Sequence, residues 1–307
     1  MGDVVISARD LHKHYDGFLA VAGIDLAVYE GEIFGIVGPN GAGKTTLLKM
    51  LSGLISGSSG EMTILGYDFA TNAIEIKRNI GFLPEESPLY ENMRVMDYLI
   101  FFSEIFGVPK DVAMNRINEI LSALDLPLNK KKIGDLSKGM KRKVAIARSL
   151  INDPQILIYD EPTSGLDPMT SKYITDFLKE LKTEGKTVIF SAHNLYQVES
   201  ICDRVLIMNN GKKIVNGPID EIIREYGSIE YQIEFRIDDS DDLHLDGAEP
   251  CNDHYLIRTS DINDINRITK QIIGYDGDIV EIRTQETPLE KIFLKLVGEP
   301  TSGHSVL

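Results

Sequence analysis

Three rhythms of apolar and polar positions run along the chain. Short, largely apolar runs, Ile33 to Val37, Gln155 to Tyr159 and Thr187 to Ser191, predict strands. The second, carrying on into Asp160, Glu161 and Pro162, reads as a buried parallel strand, because a run this continuous needs cover on both faces. Strict alternation at Val4 to Arg9, Gly23 to Val28 and Ile229 to Asp238 predicts strands with one wet face. Helical spacing marks Thr46 to Leu51, Asn92 to about Ala123 with Pro109 as a break, Val144 to Leu150, and Ile262, Ile265, Ile268 and Ile272.

Turn chemistry fills in the rest. Ser56 to Gly60 is a turn before a short strand at Glu61 to Leu65, and Ile80 to Glu85 is a strand leading into a loop. Asn209-Asn210-Gly211 joins Val205 to Met208 and Lys212 to Val215 as a hairpin. Asp220 to Glu225 reads as a helix closing the first domain. His254 to Arg258 and Asp278 to Arg283 read as strands. Thr287, Pro288, Glu290 and Gly298 read as cap, first turn, capping box and stop of a last helix. Lys130-Lys131-Lys132 reads as a solvated face, and Asp238 to Pro250 as an acidic turn. The expected organisation is a large α/β domain over 1–217, with a helical part at about 86–150. A small α+β domain follows over 218–298, and a frayed tail over 299–307.

Length and charge narrow the function. At 307 residues and 43% hydrophobic, the chain can bury a large core and a small one. No apolar stretch approaches the roughly 20 residues of a membrane span, and no signal-peptide pattern opens the chain, so a membrane role would need a partner. Cys202 and Cys251 give neither a metal spacing nor a disulfide framework, which suits a reducing cytoplasm. The net charge of −15 is uneven: residues 1–217 carry 24 basic against 27 acidic side chains, residues 218–307 only 8 against 20. So acidic an end argues against nucleic acid or anionic lipid as a partner.

The chemistry gathers at predicted strand ends. Gly38-Pro39-Asn40-Gly41-Ala42-Gly43-Lys44-Thr45-Thr46 stands between a strand and a helix with the spacing of a phosphate-binding P-loop. Glycines let backbone N–H groups curl toward an anion, and the helix N-terminus adds partial positive charge. Lys44 would reach the β/γ-phosphates and the Thr45 hydroxyl would help hold Mg²⁺. Asp160 suits Mg²⁺, directly or through water, and Glu161 suits polarising a water for attack on phosphate. His193 arrives at the same sheet edge, where it could hydrogen-bond a γ-phosphate. Ser137 precedes a helix, either as an ordinary N-cap or with free N–H groups for an anion. Tyr15 could stack on a base or merely pack a strand edge.

In this order, the motifs of residues 4–217 resemble the ATP-binding subunit of an ABC transporter. The resemblance implies a P-loop NTPase (RecA-like) core with an antiparallel β subdomain and a helical subdomain. It implies ATP and Mg²⁺ as ligands: Tyr15 as the adenine-stacking aromatic, Gly38 to Thr45 as Walker A, Asp160 as the magnesium aspartate, and Glu161 as the catalytic glutamate. Ser164 to Asp167 matches the D-loop and His193 the switch histidine. Two motifs depart from the commonest form. Lys138 and Met140 replace a glycine and the glutamine of Leu-Ser-Gly-Gly-Gln, leaving Ser137 and Gly139, and Glu85 stands for the Q-loop glutamine, still able to accept Mg²⁺-bound water. Both variants, with the tail from Thr287 to Leu296, resemble the drug- or sodium-exporting subgroup, whose permease is a separate polypeptide.

The resemblance further implies a dimer, expected here as a homodimer. The signature serine lies far from the P-loop of its own chain, so two ATP molecules would be sandwiched head to tail. Ser137, Gly139 and Asp167 of one chain would complete the pocket of the other. The segment from Glu86 to Met96 would pass the motion to the permease, and the subunit would sit in the cytoplasm on the inner face of the cell membrane. The alternative is a soluble ATP switch acting on ribosomes, DNA or metallocluster assembly. Tandem cassettes, a long coiled coil or a zinc module would mark that class, and none is visible. The acidic C-terminal part could regulate turnover, strengthen the dimer or only cover the core.

Overall fold

A computed structural model describes residues 2–126, 131–237, 245–251 and 253–298. Lys130, residues 238–244 of the acidic stretch and the tail 299–307 lie outside them. A boundary between Ile219 and Asp220 divides the chain into two compact units.

The first unit begins with β1 (Val4–Tyr15) and β2 (Phe18–Tyr29), an antiparallel hairpin closed by Asp16 and Gly17, both at positive φ. Both strands outrun the expected alternation. β1 continues through His12, Lys13 and His14, where register shifts after Ala8, Leu11 and Lys13 interrupt the period of two. β3 (Ile33–Val37) leads into α1 (Lys44–Leu51). β4 (Ser59–Ile64) and the short β5 (Tyr67–Asp68) then complete a four-stranded sheet in the order β2-β1-β4-β5. α2 (Phe69–Arg78), absent from the sequence reading, is kinked at Asn72, which breaks its apolar spacing.

Beyond α2 come β6 (Ile80–Leu83), α3 (Val95–Ile105), α4 (Lys110–Ala123) and α5 (Lys138–Leu150). β7 (Ile156–Tyr159), α6 (Pro168–Thr183), β8 (Thr187–Ala192), α7 (Leu195–Ile201), β9 (Arg204–Asn209) and β10 (Lys212–Pro218) follow. A second sheet runs β10-β9-β3-β8-β7-β6, parallel throughout except for β10. Every residue of β3, β7 and β8 is buried, as their unbroken composition requires. The core joins this sheet to the first through Val21, Ile24, Leu47, Met50, Ile158 and Ile189. At roughly 2–5 kcal/mol for each Ile or Leu truncated to alanine, such a core fixes the strand ends firmly. One contact bears on the phosphate loop: in the Asn210-Gly211 turn between β9 and β10, Gly211 N–H donates to Ala42 O (3.0 Å) and Gly211 O accepts from Ala22 N–H (2.8 Å).

Within the second unit, β11 (Ile229–Arg236), β12 (Glu249–Cys251), β13 (His254–Thr259) and β14 (Asp278–Glu286) form an antiparallel sheet ordered β12-β13-β11-β14. α9 (Ile262–Gly274) covers one face, burying Ile268 and Ile272 against Ile233, Phe235 and Ile257. α8 (Ile219–Tyr226) and α10 (Leu289–Gly298) flank these elements in sequence. Thr287, the residue expected to cap α10, bonds the chain at Ser228. Its hydroxyl donates to Ser228 O (2.9 Å) and accepts from Ser228 N–H (3.0 Å), while Pro288 O receives the first helical N–H groups of α10.

Candidate functional site

The loop after β3 is held open by glycine. Gly41 and Gly43 have φ of 79° and 99°, left-handed values that side chains disfavour. A Cβ on Gly43 would run into Ala20 O of β2, and one on Gly38 into Met208 O of β9. Gly43 caps α1 without a side-chain acceptor, and the first turn carries no acid. The N–H groups at this helix head therefore have an anion-fitting surround. Lys44 is buried, and its ammonium donates to Gly38 O (2.8 Å) and Pro39 O (3.2 Å). Burial lowers its pKa, while Glu161, Asp160 and Glu85 act in the opposite sense. Three carboxylates thus face one lysine across the strand ends.

Asp160 and Glu161 follow β7, and His193 follows β8. Ser191, in β8 and fully buried, ties the acids together: its hydroxyl donates to Asp160 Oδ1 (2.6 Å) and accepts from Glu161 N–H (3.0 Å). Glu161 adopts φ 47°, a left-handed conformation that costs a non-glycine residue on the order of 1–3 kcal/mol. Burial raises its pKa, and the His193 ring, whose Nε2 contacts Glu161 Oε1, pulls the other way. A carboxylate in this setting is poised to accept a proton. An open groove of about 740 Å³ is lined by Glu161, Gly165, Lys172, His193 and Tyr196.

Arg142, one turn into α5, binds the loop ends from below. Its Nη2 donates to Asp160 O (3.0 Å) and Glu161 O (2.8 Å), and its Nε to Pro162 O (2.9 Å). Nη1 donates to Pro84 O (2.8 Å), Glu85 O (2.9 Å) and Ser87 Oγ (3.4 Å). Burial lowers its pKa to about 10, which leaves it charged at neutral pH. Neither Arg142 nor Ser191 stood out in the sequence. For Ser191 the available signal was a polar residue at the end of a buried apolar strand; Arg142, between Lys141 and Lys143, gave none.

Ser137 caps α5, its hydroxyl accepting from Met140 N–H (3.2 Å), and α5 packs against α3, α4 and β6. Gly139 approaches Thr170 so closely that a Cβ would touch its side chain, and the Lys138 ammonium lies against Gly165. Asp167 caps α6, accepting from Thr170 N–H (3.0 Å) and Thr170 Oγ1 (2.6 Å); the hydroxyl bond lowers its pKa first. Tyr15 is the last residue of β1 rather than a turn residue, 43% exposed, with the Lys13 ammonium over its ring. The structure therefore brings Lys44, Glu85, Asp160, Glu161 and His193 to one edge, and Ser137, Gly139 and Asp167 to the junction of α5 and α6. Among the described residues no three His, Cys, Asp or Glu side chains are grouped as metal ligands, so a cation at Asp160 would need oxygen from a hydroxyl or the nucleotide as well. Thr45, next to Lys44 in the first turn of α1, offers such a hydroxyl. A second groove, about 220 Å³, is lined by Leu54, Phe82, Phe102, Phe106 and Arg148.

A family model described as "ABC transporter" matches residues 21–164. The chain is 43% identical over 227 residues to an uncharacterized ABC transporter ATP-binding protein of Methanocaldococcus jannaschii, covering 74% of this chain and 82% of that one. It is 34% identical over 309 residues to the bacitracin transport ATP-binding protein BcrA of Bacillus licheniformis, covering 97% and 99%. Among solved structures, a dimeric post-hydrolysis state of an ATP-binding cassette bound to ADP and Pi is similar with a TM-score of 0.64 at 26% identity, over 70% of this chain and 98% of the other.

Proposed function

Because the chain belongs to the ABC transporter family of ATP-binding proteins, we propose that it hydrolyses ATP as the cytoplasmic motor of an exporter whose permease is a separate polypeptide. The observation that carries this reading is the meeting of Lys44, Asp160, Glu161 and His193 at one sheet edge, the first at the head of α1 and the others just past buried strands. In the proposed site, Gly38 to Thr46 cradles the phosphates, Lys44 turns from its loop carbonyls to the β/γ-phosphates, and Tyr15 stacks on the adenine. Thr45, Asp160 and Glu85 would hold Mg²⁺, which when bound offsets phosphate charge.

Glu161 orients a water in line with the γ-phosphorus and takes its proton. The new P–O bond forms as the bond to ADP breaks, and the electron pair leaves on the ADP oxygen. His193 holds Glu161 in place and hydrogen-bonds the γ-phosphate. Each pocket is completed in trans by Ser137, Gly139 and Asp167 of a second copy, so ATP closes a homodimer and hydrolysis opens it. Support for a trans arrangement comes from the placement of Ser137 at the head of α5 rather than among the strand-end groups.

Support for a permease partner comes from exposed apolar side chains around the smaller groove, Leu54, Tyr90, Ile105 and Phe106. Tyr90 lies in the segment Glu86 to Met96 expected to pass on motion, and its ring packs on Phe102 of the groove. No helix among the described residues is long and apolar enough to cross a membrane. Export rests on the resemblance of the Ser137 signature, Glu85 and the Thr287 to Leu296 tail to the exporting subgroup. The test is purification of the Glu161→Gln chain from detergent-solubilised membranes. An integral membrane protein should co-purify, and an ATP-trapped dimer should form; recovery alone, as a monomer with ATP, would sink the reading. The soluble switch remains the second outcome of that experiment.

A further inference from the structure

One buried cation joins parts of the site that the reaction would use separately. The Arg142 fork spans the loop after β6, at Pro84 and Glu85, and the turn after β7, at Asp160 to Pro162. Its hydrogen-bond partners are five carbonyls and one hydroxyl, so it meets neutral dipoles where a stability-driven core would place an apolar side chain. The carbonyl of Glu161, the strained residue, takes one of the shortest of these bonds. The same helix carries Ser137 at its head, and Gly139 and Lys138 fasten that head to Thr170 and Gly165 beside Asp167. The Arg142 bonds give a shift of α5 a direct route to the Glu85 and Glu161 backbones.

We propose that Arg142 is a positioning residue that couples the two nucleotide pockets of the dimer. When Ser137 engages the nucleotide of the partner, α5 moves, and the Arg142 fork draws the Glu85 loop and the Glu161 turn of its own chain into the hydrolytic arrangement. Each pocket then fires only when the other is filled. This rests on the ATP-sandwich reading above. Lysine cannot replace the fork, because a single ammonium cannot reach both backbone segments with the same planar set of donors.

The test is ATP hydrolysis by the full-length chain against ATP concentration, comparing wild type with Arg142→Lys and Arg142→Gln. A fluorescent ATP analogue, titrated at protein concentrations too low for dimers, reports the cradle alone. Both variants should bind the analogue as wild type does, lose about 100-fold in kcat, as small misplacements of catalytic groups do, and show a Hill coefficient that falls to one. Wild-type kcat and sigmoidicity in both variants would overturn the assignment. So would loss of analogue binding in step with kcat, or failure of both variants to fold, since either makes Arg142 a residue of general stability. If only Arg142→Gln misfolds, Arg142→Lys decides. A wild-type chain that hydrolyses ATP with a Hill coefficient of one, indifferent to Ser137→Ala, would instead sink the sandwich and take the inference with it.

Discussion

The two units handle charge in opposite ways. At the strand ends of the first, Lys44, Asp160, Glu161 and Arg142 are all buried, and each is held by backbone, by Ser191 or by one another. In the second, the ion pairs Arg258–Glu249, Arg258–Glu230 and Arg283–Glu234 lie in the open on the sheet, and the buried residues are apolar. Charges kept from water are costly and therefore shift, respond to neighbours and do chemistry. Charges left in water mainly keep a surface soluble. The ion pairs of the second unit's sheet are of the second kind, which is why the proposed chemistry is sought in the first.

Predictions can break this contrast at several strengths. Glu161→Gln should lower kcat by roughly 10³-fold, within the span of lost general-base catalysis, with ATP binding intact in a filter assay. An unchanged rate would remove the proton-accepting role. Ser137→Ala should cost about 10²-fold in turnover, the scale of a lost transition-state donor, but only ~1 kcal/mol in unfolding free energy through its cap. Equal, small losses in both would leave Ser137 a cap and nothing more. Phe235→Ala should destabilise the second unit by about 3–5 kcal/mol in denaturant titration, with ATPase in native buffer unaltered; a collapse of ATPase would show that the contrast is false.

A pH profile sharpens the point further. Burial raises the pKa of Glu161 above its ordinary 4.5. A base must be deprotonated, so the acid limb of kcat should lie above the usual glutamate range, with activity present above that pKa and lost as pH falls through it. Because His193 lowers this pKa, His193→Gln should move the limb to higher pH. The smallest effect belongs to Glu249→Ala, which removes an exposed partner of Arg258 and should barely move the melting midpoint.

Much of the site is legible in one dimension because its parts are local. A strand, a glycine turn and a helix stand together in sequence, and β7 and β8 announce themselves by unbroken apolar runs. The hairpin at Asn210-Gly211 follows from turn chemistry, and the helices on either side of Pro109 from spacing. What stayed hidden depends on distant encounters. Nothing adjacent to Arg142 tells that its guanidinium will meet carbonyls some 20 and 57 residues away, and nothing near Ser191 names Asp160 as its partner. The extent of β1 was obscured by its bulges, and nothing near Thr287 announces its bonds to Ser228, 59 residues off.

The Gly211 contact with Ala42 has a consequence for biosynthesis. A ribosome delivers the phosphate cradle early, but the turn that pins it is among the last pieces of the first unit to emerge, with only β10 and Ile219 to follow. Until some 210 residues are out, the cradle lacks its latch, and a chain truncated before that turn should grip nucleotide poorly despite containing the whole glycine loop. Ordered assembly of this kind would keep a half-made motor from burning fuel.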